Sequence, residues 1–309
     1  LNSIPLFGLR RDLPRGRQLV TPACVMALTG TGARVFEAGC GAQDTYAAGH
    51  IPGAGYLDTM WFEQGPSWNK VPDAALLRVL LAHGIRHDVT VVLYARNVLA
   101  AARVAHLLLY AGVADVRLLD GGFAAWQRAG LPLEQGLQRP GPAADDFGVT
   151  LPALPDYLLD MDQVRALRRH RQGLLVSIRT WNEYIGRTSG YSYIEARGEI
   201  PGALWGRAGE DGDVNSMAAF HHADGRMKPA ADILRMWGSG GIHAGRRTVF
   251  YCGTGWRASL AFFYAWLMGW ERIAVYDGGW CEWSRDLANP VVCRVAGQEP
   301  ASESACKSA

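Results

Sequence analysis

No apolar run in the 309-residue chain reaches the roughly 20 residues that span a bilayer. The nearest, Leu260 to Trp270, is short enough to read as a buried helix, and no membrane association is expected. Long runs of Lys or Arg are also lacking, and the formal net charge is only +2, so a nucleic-acid-binding stripe is not expected. The short cluster Arg168-Arg169-His170-Arg171 reads as the solvated end of a helix. None of the six cysteines stands in C-x-x-C spacing, which argues against a structural zinc site, and no metal is expected. A chain of this size needs no disulfide staple. The residues given contain no signal peptide. They open on Leu1 rather than Met, so the native N-terminus is expected to be missing, and periplasm and cytoplasm both stay open.

What is abundant points elsewhere. Hydrophobic residues make up 49% of the chain, enough to give each of two domains a full core, and 37 glycines with 15 prolines suit many tight connections. The chain also repeats itself. Val92 to Trp126 aligns without a gap on Val249 to Trp283 at a constant offset of 157, bringing Tyr94 onto Tyr251, Gly112 onto Gly269, Asp120-Gly121-Gly122 onto Asp277-Gly278-Gly279 and Trp126 onto Trp283. Upstream, His50-Ile51-Pro52-Gly53-Ala54 matches Glu199-Ile200-Pro201-Gly202-Ala203.

Each copy reads as a short strand (Val35-Phe36; Leu174 to Ile178), the I-P-G-A turn, and a second strand (Thr90 to Tyr94; Thr248 to Tyr251). An apolar helix follows (Ala100 to Tyr110; Ala258 to Met268), then a third strand (Val116 to Leu119; Ile273 to Tyr276) that ends at Asp-Gly-Gly before a Trp-bearing helix. Alternating strands and helices with short connections predict an α/β fold of two tandem domains, each a parallel sheet flanked by helices. The domains are expected at 19–139 and 157–295, with a Pro-containing linker at 140–156, a lead-in segment at 1–18 and a polar tail at 296–309.

Sites in such sheets form beyond the carboxyl ends of strands. Cys252 stands there, in Tyr251-Cys252-Gly253-Thr254-Gly255-Trp256-Arg257-Ala258-Ser259. Gly253 and Gly255 let successive N–H groups curl inward as an anion nest. The helix expected near Ala258 adds its positive end, Arg257 a charge at the rim and Thr254 a hydroxyl donor. These features are expected to lower the thiol pKa below about 8.5 and favour the thiolate. A thiolate there could take the outer sulfur of a donor and hold it as a persulfide. Cys24, Cys40 and Cys281 read as inert buried cysteines, and Cys293 and Cys306 as incidental. His50 reads as a turn-stabilising residue, and His221-His222 as a solvated pair.

The I-P-G-A turn, Tyr-Cys-x-x-x-x-Arg and Val-Tyr-Asp-Gly-Gly-Trp resemble the rhodanese family. The loop Cys252 to Arg257, taken with Thr188-Ser189-Gly190-Tyr191-Ser192-Tyr193-Ile194, is similar to a branch of bacterial thiosulfate sulfurtransferases with three repeats. Only two repeats are evident here, and residues 1–18 are expected to follow a lost or removed first one. The resemblance implies two tandem rhodanese-like domains and sulfane-sulfur transfer from thiosulfate or a related small sulfur anion. The route runs through a Cys252 persulfide to cyanide or a thiol, with no cofactor and with a protein acceptor open as the alternative. It implies Gly253, Thr254, Gly255, Trp256, Arg257, Arg179 and Arg187 as substrate-binding residues.

Two departures stand out. The Asp-x-Arg of many rhodaneses is Ser177-Ile178-Arg179 here, and Glu183 stands where better-known enzymes carry a substrate-binding arginine; Arg187 or Arg197 is the expected replacement. In the first repeat Ala95 falls opposite Cys252, Ala100 opposite Arg257, and Arg96-Asn97-Val98-Leu99 replaces the nest, so that repeat is expected to be silent and to form a wall of the site. A Cys-dependent phosphatase or arsenate reductase fits less well, because such enzymes place Arg six residues after Cys and Arg257 is only five after Cys252.

Overall fold

The computed structural model describes residues 10–138 and 141–294; residues 1–9 of the lead-in, the boundary at 139–140 and the tail expected at 296–309 lie outside the described residues. The first repeat runs β1 (Leu19–Val20), α1 (Pro22–Leu28), β2 (Arg34–Gly39), α2 (Gln43–Ala48), β3 (Gly55–Asp58), β4 (Glu63–Gln64), β5 (Asn69–Lys70), α3 (Asp73–Ala82), β6 (Thr90–Tyr94), α4 (Val98–Ala111), β7 (Asp115–Leu119) and α5 (Gly122–Arg128). The second runs β8 (Leu158–Leu159), α6 (Met161–His170), β9 (Leu174–Ser177), α7 (Trp181–Tyr184), β10 (Leu204–Trp205), α8 (Ala230–Ser239), β11 (Thr248–Tyr251), α9 (Trp256–Leu267), β12 (Ile273–Tyr276) and α10 (Gly279–Arg285).

Both repeats form a five-stranded sheet of the same order, β1-β7-β6-β2-β3 and β8-β12-β11-β9-β10, with every pairing parallel. β4 and β5 pair apart as an antiparallel ribbon. The central strands are continuous apolar runs because helices cover both faces. Helix starts follow local chemistry: Thr21 accepts from the Cys24 amide ahead of Pro22, and Asp160 with Gln163 forms a capping box on α6. The Arg168-to-Arg171 cluster is the end of α6.

The two longest helices, α4 and α9, occupy equivalent places and pack on each other. Almost every residue of both is buried, including the small residues Ala100, Ala101, Ala102 and Ala105 on one and Ala258, Ala261 and Ala265 on the other. A helix apolar on all sides is one with no face left for water, and here its own sheet lies on one side and the sister helix on the other. The Asp-Gly-Gly aspartates lock the same relation from both ends. Asp120 accepts from the Met227 amide at 2.8 Å, and Asp277 accepts from the Lys70 amide at 2.8 Å, so each repeat caps a chain segment of the other. The described part of the lead-in also crosses to the second repeat: the Arg15 amide donates to the Leu267 carbonyl at 3.0 Å, and Asp12 accepts from the Ala230 amide at 2.9 Å. The linker is pinned too, since the Ala153 and Leu154 amides donate to the carbonyls of Ala111 and Tyr110.

His106 of α4 is fully buried in this seam. It meets the ring of Phe262 at 4.7 Å, and its Nε2 lies 2.9 Å from the Tyr157 carbonyl. Burial, reinforced by Arg103, lowers its pKa from 6.5 to about 3. The unfolded chain therefore binds the proton first: the stability is complete above about pH 6.5 and is lost as the pH falls toward 3, by up to about 1.4 kcal/mol per pH unit. Urea unfolding at pH 6.5 and 4.5 should show wild type losing about 2 kcal/mol more than His106→Gln over that interval; equal losses would mean that His106 does not titrate with folding.

Candidate active site

β11 ends at Tyr251, and the next residue, Cys252, is 1% exposed. The loop closes through the Gly255 amide, which donates to the Cys252 sulfur at 3.2 Å. Gly255 holds φ +99°, in the left-handed region open to glycine, and so turns its N–H back onto that sulfur. Gly253 is required by close approach: a Cβ there would sit 2.3 Å from the Tyr191 ring. Helix α9 starts at Trp256 rather than near Ala258, so its positive end lies nearer to the sulfur than the sequence implied.

That earlier start also corrects the expectation for Arg257. In the first turn of α9 it points inward and is 1% exposed. Its Nη1 and Nη2 donate to both oxygens of Glu183 at 2.9 and 2.8 Å, and Nη2 also to the Tyr191 hydroxyl at 2.6 Å. The charge meant for a donor at the rim is already committed to a buried carboxylate. Glu183 is held by its own helix start as well: Thr180 and Glu183 form a capping box on α7, and Arg179 Nε lies 3.5 Å from the carboxylate. Burial pushes Glu183 up, but Arg257 and Arg179 outweigh it and bring its pKa down from 4.5 to about 2. Glu183 is thus the counter-ion of two arginines rather than a repulsive group facing the substrate.

Arg179 is fully buried and donates to the Gly198 and Ser189 carbonyls at 2.8 and 3.3 Å, away from the cavity beside Cys252. The acid missing from the strand end is restored in space. Glu199 of the I-P-G turn lies 3.6 Å from Arg179, accepts from Ser177 Oγ at 2.6 Å, and accepts from the Tyr251 hydroxyl. Arg187 is exposed and donates to Asn182 Oδ1 at 3.0 Å; neither it nor the exposed Arg197 lines the cavity.

The cavity has a volume of about 270 Å³ and lies between the repeats. The second contributes Thr254, Trp256, Arg257, Tyr191 and Tyr193, and the first contributes Glu63, Met60, Trp68 and Cys40. Of the residues expected to bind substrate, it therefore gathers Thr254, Trp256 and Arg257 and leaves out Gly253, Gly255, Arg179 and Arg187; Cys252 itself is buried behind Thr254 in the loop rather than on the cavity wall. Trp256 both lines the cavity and is anchored, its indole N–H donating to Glu63 Oε2 at 2.8 Å. Cys40 is exposed on the cavity wall rather than buried, because β2 ends just before it, whereas Cys24 and Cys281 are buried as expected. Cys293 is disulfide-bonded rather than incidental. His221 is not a solvated residue: it packs inward with Nε2 2.6 Å from the Tyr264 hydroxyl, and burial lowers its pKa to about 4. His50 is buried, stacked on Tyr46 at 4.1 Å within its turn.

In the first repeat Arg96 stands where Arg179 stands in the second, each donating to the carbonyl ahead of the I-P-G turn and lying over the ring of Phe123 or Trp280. The Arg96 side chain, opposite Gly253, donates to Glu37 at 3.0 Å and to the Thr45 and Gly49 carbonyls at 3.0 and 2.6 Å, with its guanidinium 4.1 Å above the Phe123 ring.

A model of the rhodanese-like domain matches residues 34–129 and 160–286. The chain belongs to the rhodanese family. It is 54% identical over 266 residues to the thiosulfate sulfurtransferase YnjE of Escherichia coli K12, covering 86% of this chain and 61% of that protein. It therefore spans about three fifths of that relative's length. It is 30% identical over 261 residues to the sulfur carrier protein TtuD of Thermus thermophilus, covering 80% of this chain and 86% of that one. The crystal structure of YnjE superimposes with a TM-score of 0.87 at 51% identity, covering 93% of this chain and 70% of that one. An EanB variant bearing a cysteine persulfide, solved with ergothioneine, gives a TM-score of 0.88 at 34% identity, covering 92% of this chain and 72% of that one.

Two outcomes follow. Glu183→Gln leaves two buried guanidinium groups without their shared charge, and should cost about 3–5 kcal/mol of stability and lower kcat/KM for every donor. A gain in thiosulfate use, with an unchanged melting temperature, would mean that Glu183 opposes the donor instead. In an Ala95→Cys, Cys252→Ser protein incubated with thiosulfate, peptide mass spectrometry should find no persulfide at position 95, since Arg96-Asn97-Val98-Leu99 lacks the glycines that turn an amide onto the Cys252 sulfur.

Proposed function

We propose that the protein is a sulfurtransferase that carries sulfane sulfur on Cys252, in a catalytic domain at 157–295 beside a silent domain at 19–139. The observation that carries this reading is the Cys252 sulfur at a strand end, held by the Gly255 amide at the start of a twelve-residue helix. The cysteine thiolate attacks the outer sulfur of thiosulfate. The S–S bond breaks, sulfite leaves with the bonding electron pair, and Cys252 is left as a persulfide. Gly255 N–H and the helix start favour the anionic terminal sulfur. Cyanide or a thiolate then attacks that sulfur, leaves as thiocyanate or a persulfide, and returns the thiolate. The persulfide described for EanB and the activity in the name of YnjE support this sequence of steps. The protein's own groups supply every step, and we assign no cofactor.

Thiosulfate is the donor we propose, at a modest rate. Among the described residues Arg257 is the one cation lining the cavity, and its guanidinium is bound to Glu183. That arrangement gives a dianion little to pair with, and it also supports a second reading in which a persulfide donor loads Cys252 and a partner protein unloads it, as the name of TtuD suggests. A phosphatase or arsenate reductase has less support, because the arginine that would grip a tetrahedral oxyanion is already paired with Glu183.

Incubation with thiosulfate followed by peptide mass spectrometry should place an added sulfur on the Cys252 peptide and on no other, and Cys252→Ser should abolish transfer. On the second reading, rate over affinity for a glutathione persulfide should exceed that for thiosulfate. A label on another cysteine would overturn the assignment of Cys252; a thiosulfate rate far above all persulfide donors would remove the relay reading.

A further inference from the structure

The loop around Cys252 rests on a residue of the other repeat. Arg103 of α4 is fully buried. Its Nε donates to Glu63 Oε1 at 2.6 Å, and its Nη2 donates to Asp277 Oδ1 at 2.6 Å. The two carboxylates belong to different repeats, and each holds something further. Glu63 accepts from the Trp256 indole at 2.8 Å, and Asp277 accepts from the Lys70 amide at 2.8 Å. The third nitrogen, Nη1, is buried and has no hydrogen-bond partner among the described residues. It faces the loop: a Cβ built on Gly255 would lie 3.3 Å from it and 3.4 Å from the Asp277 carbonyl. Gly255 is the residue whose amide holds the Cys252 sulfur.

We propose that Arg103 is a positioning residue for the Cys252 cradle, the support that fixes Gly255 and, through Glu63 and the Trp256 indole, the start of α9. Two nitrogens of its planar fork, Nε and Nη2, hold carboxylates from different repeats, and its Nη1 and Cζ lie against the glycine that must keep a positive φ. A lysine has one nitrogen and no fork, so it could satisfy one carboxylate and leave the other. The fork also places a positive charge under the loop. Two carboxylates share one guanidinium, so its removal would leave two negative groups facing a thiolate or a terminal persulfide. Position 260, its counterpart in the second repeat, is Leu; the support runs one way, from the silent repeat to the active one.

The inference rests on Cys252 being the reactive thiol, and its test reads that thiol without any sulfur donor. In the full chain, the rate of Cys252 alkylation by iodoacetamide is measured against pH for wild type, Arg103→Lys, Arg103→Met and Glu63→Gln, beside melting temperatures and single-turnover persulfide formation. Arg103→Met should move the alkylation profile to higher pH by about half a unit or more and cut persulfide formation at least tenfold. Arg103→Lys should keep the charge and most of the profile but lose at least threefold in single-turnover rate, and Glu63→Gln should lower that rate while leaving Arg103 bound to Asp277. Folded variants with lower melting temperatures but wild-type alkylation profiles and single-turnover rates would overturn the proposal and leave Arg103 a core ion pair. If Arg103→Met does not fold, Arg103→Lys and Glu63→Gln decide by the same criteria. Normal alkylation of wild-type Cys252 without sulfur transfer from any donor would instead remove the sulfurtransferase reading and leave the positioning role standing.

Discussion

The seam between α4 and α9 is the constraint on which the molecule turns. Each helix is buried on all sides, so neither repeat presents a finished surface without the other. Once the helices are back to back, the chain segments following the I-P-G turns fall against the opposite repeat. The Asp-Gly-Gly aspartates then hold them by reciprocal hydrogen bonds, Asp120 to Met227 and Asp277 to Lys70. The cavity beside Cys252 is a product of that arrangement, since its walls come from both repeats.

Symmetry at the seam makes the asymmetry at the strand ends informative. The second repeat places glycines around its cysteine and buries a cluster of Arg179, Arg257, Glu183 and Glu199 behind them. Buried opposite charges like these are stable only as a set, because loss of one member leaves another desolvated and unpaired. The cluster therefore serves shape: it keeps Tyr191 against Gly253 and fixes Arg257 in the first turn of α9.

Much of this was legible from the residues. The constant offset of the repeats, the parallel strands read from apolar runs and the Cys-Gly-Thr-Gly sequence placed both sheets and the nucleophile candidate. Short β1, β4, β5, β8 and β10 went unread because two residues carry no periodicity. The arginines were misread for a different reason. Spacing says that Arg257 follows Cys252 closely, but whether it faces solvent depends on a helix beginning two residues earlier and on Glu183, distant in sequence, being its partner. Glu199 likewise replaces an acid missing from a strand, a substitution made across space that alignment within one motif does not reveal. Glu63 and Arg103 carried no local signal at all. Each lies in the repeat that lacks the cysteine, and only the packing of α4 against α9 brings them to the loop.

The guanidinium of Arg96 in the first repeat stands where that of Arg179 stands in the second. Each donates to the carbonyl just ahead of the I-P-G turn, Gly49 or Gly198, and each lies over the ring that follows the Asp-Gly-Gly turn, Phe123 or Trp280. One copy sends the cation from the loop after β6, and the other sends it from the end of β9. Duplication thus kept a charge at one address and changed the residue that delivers it.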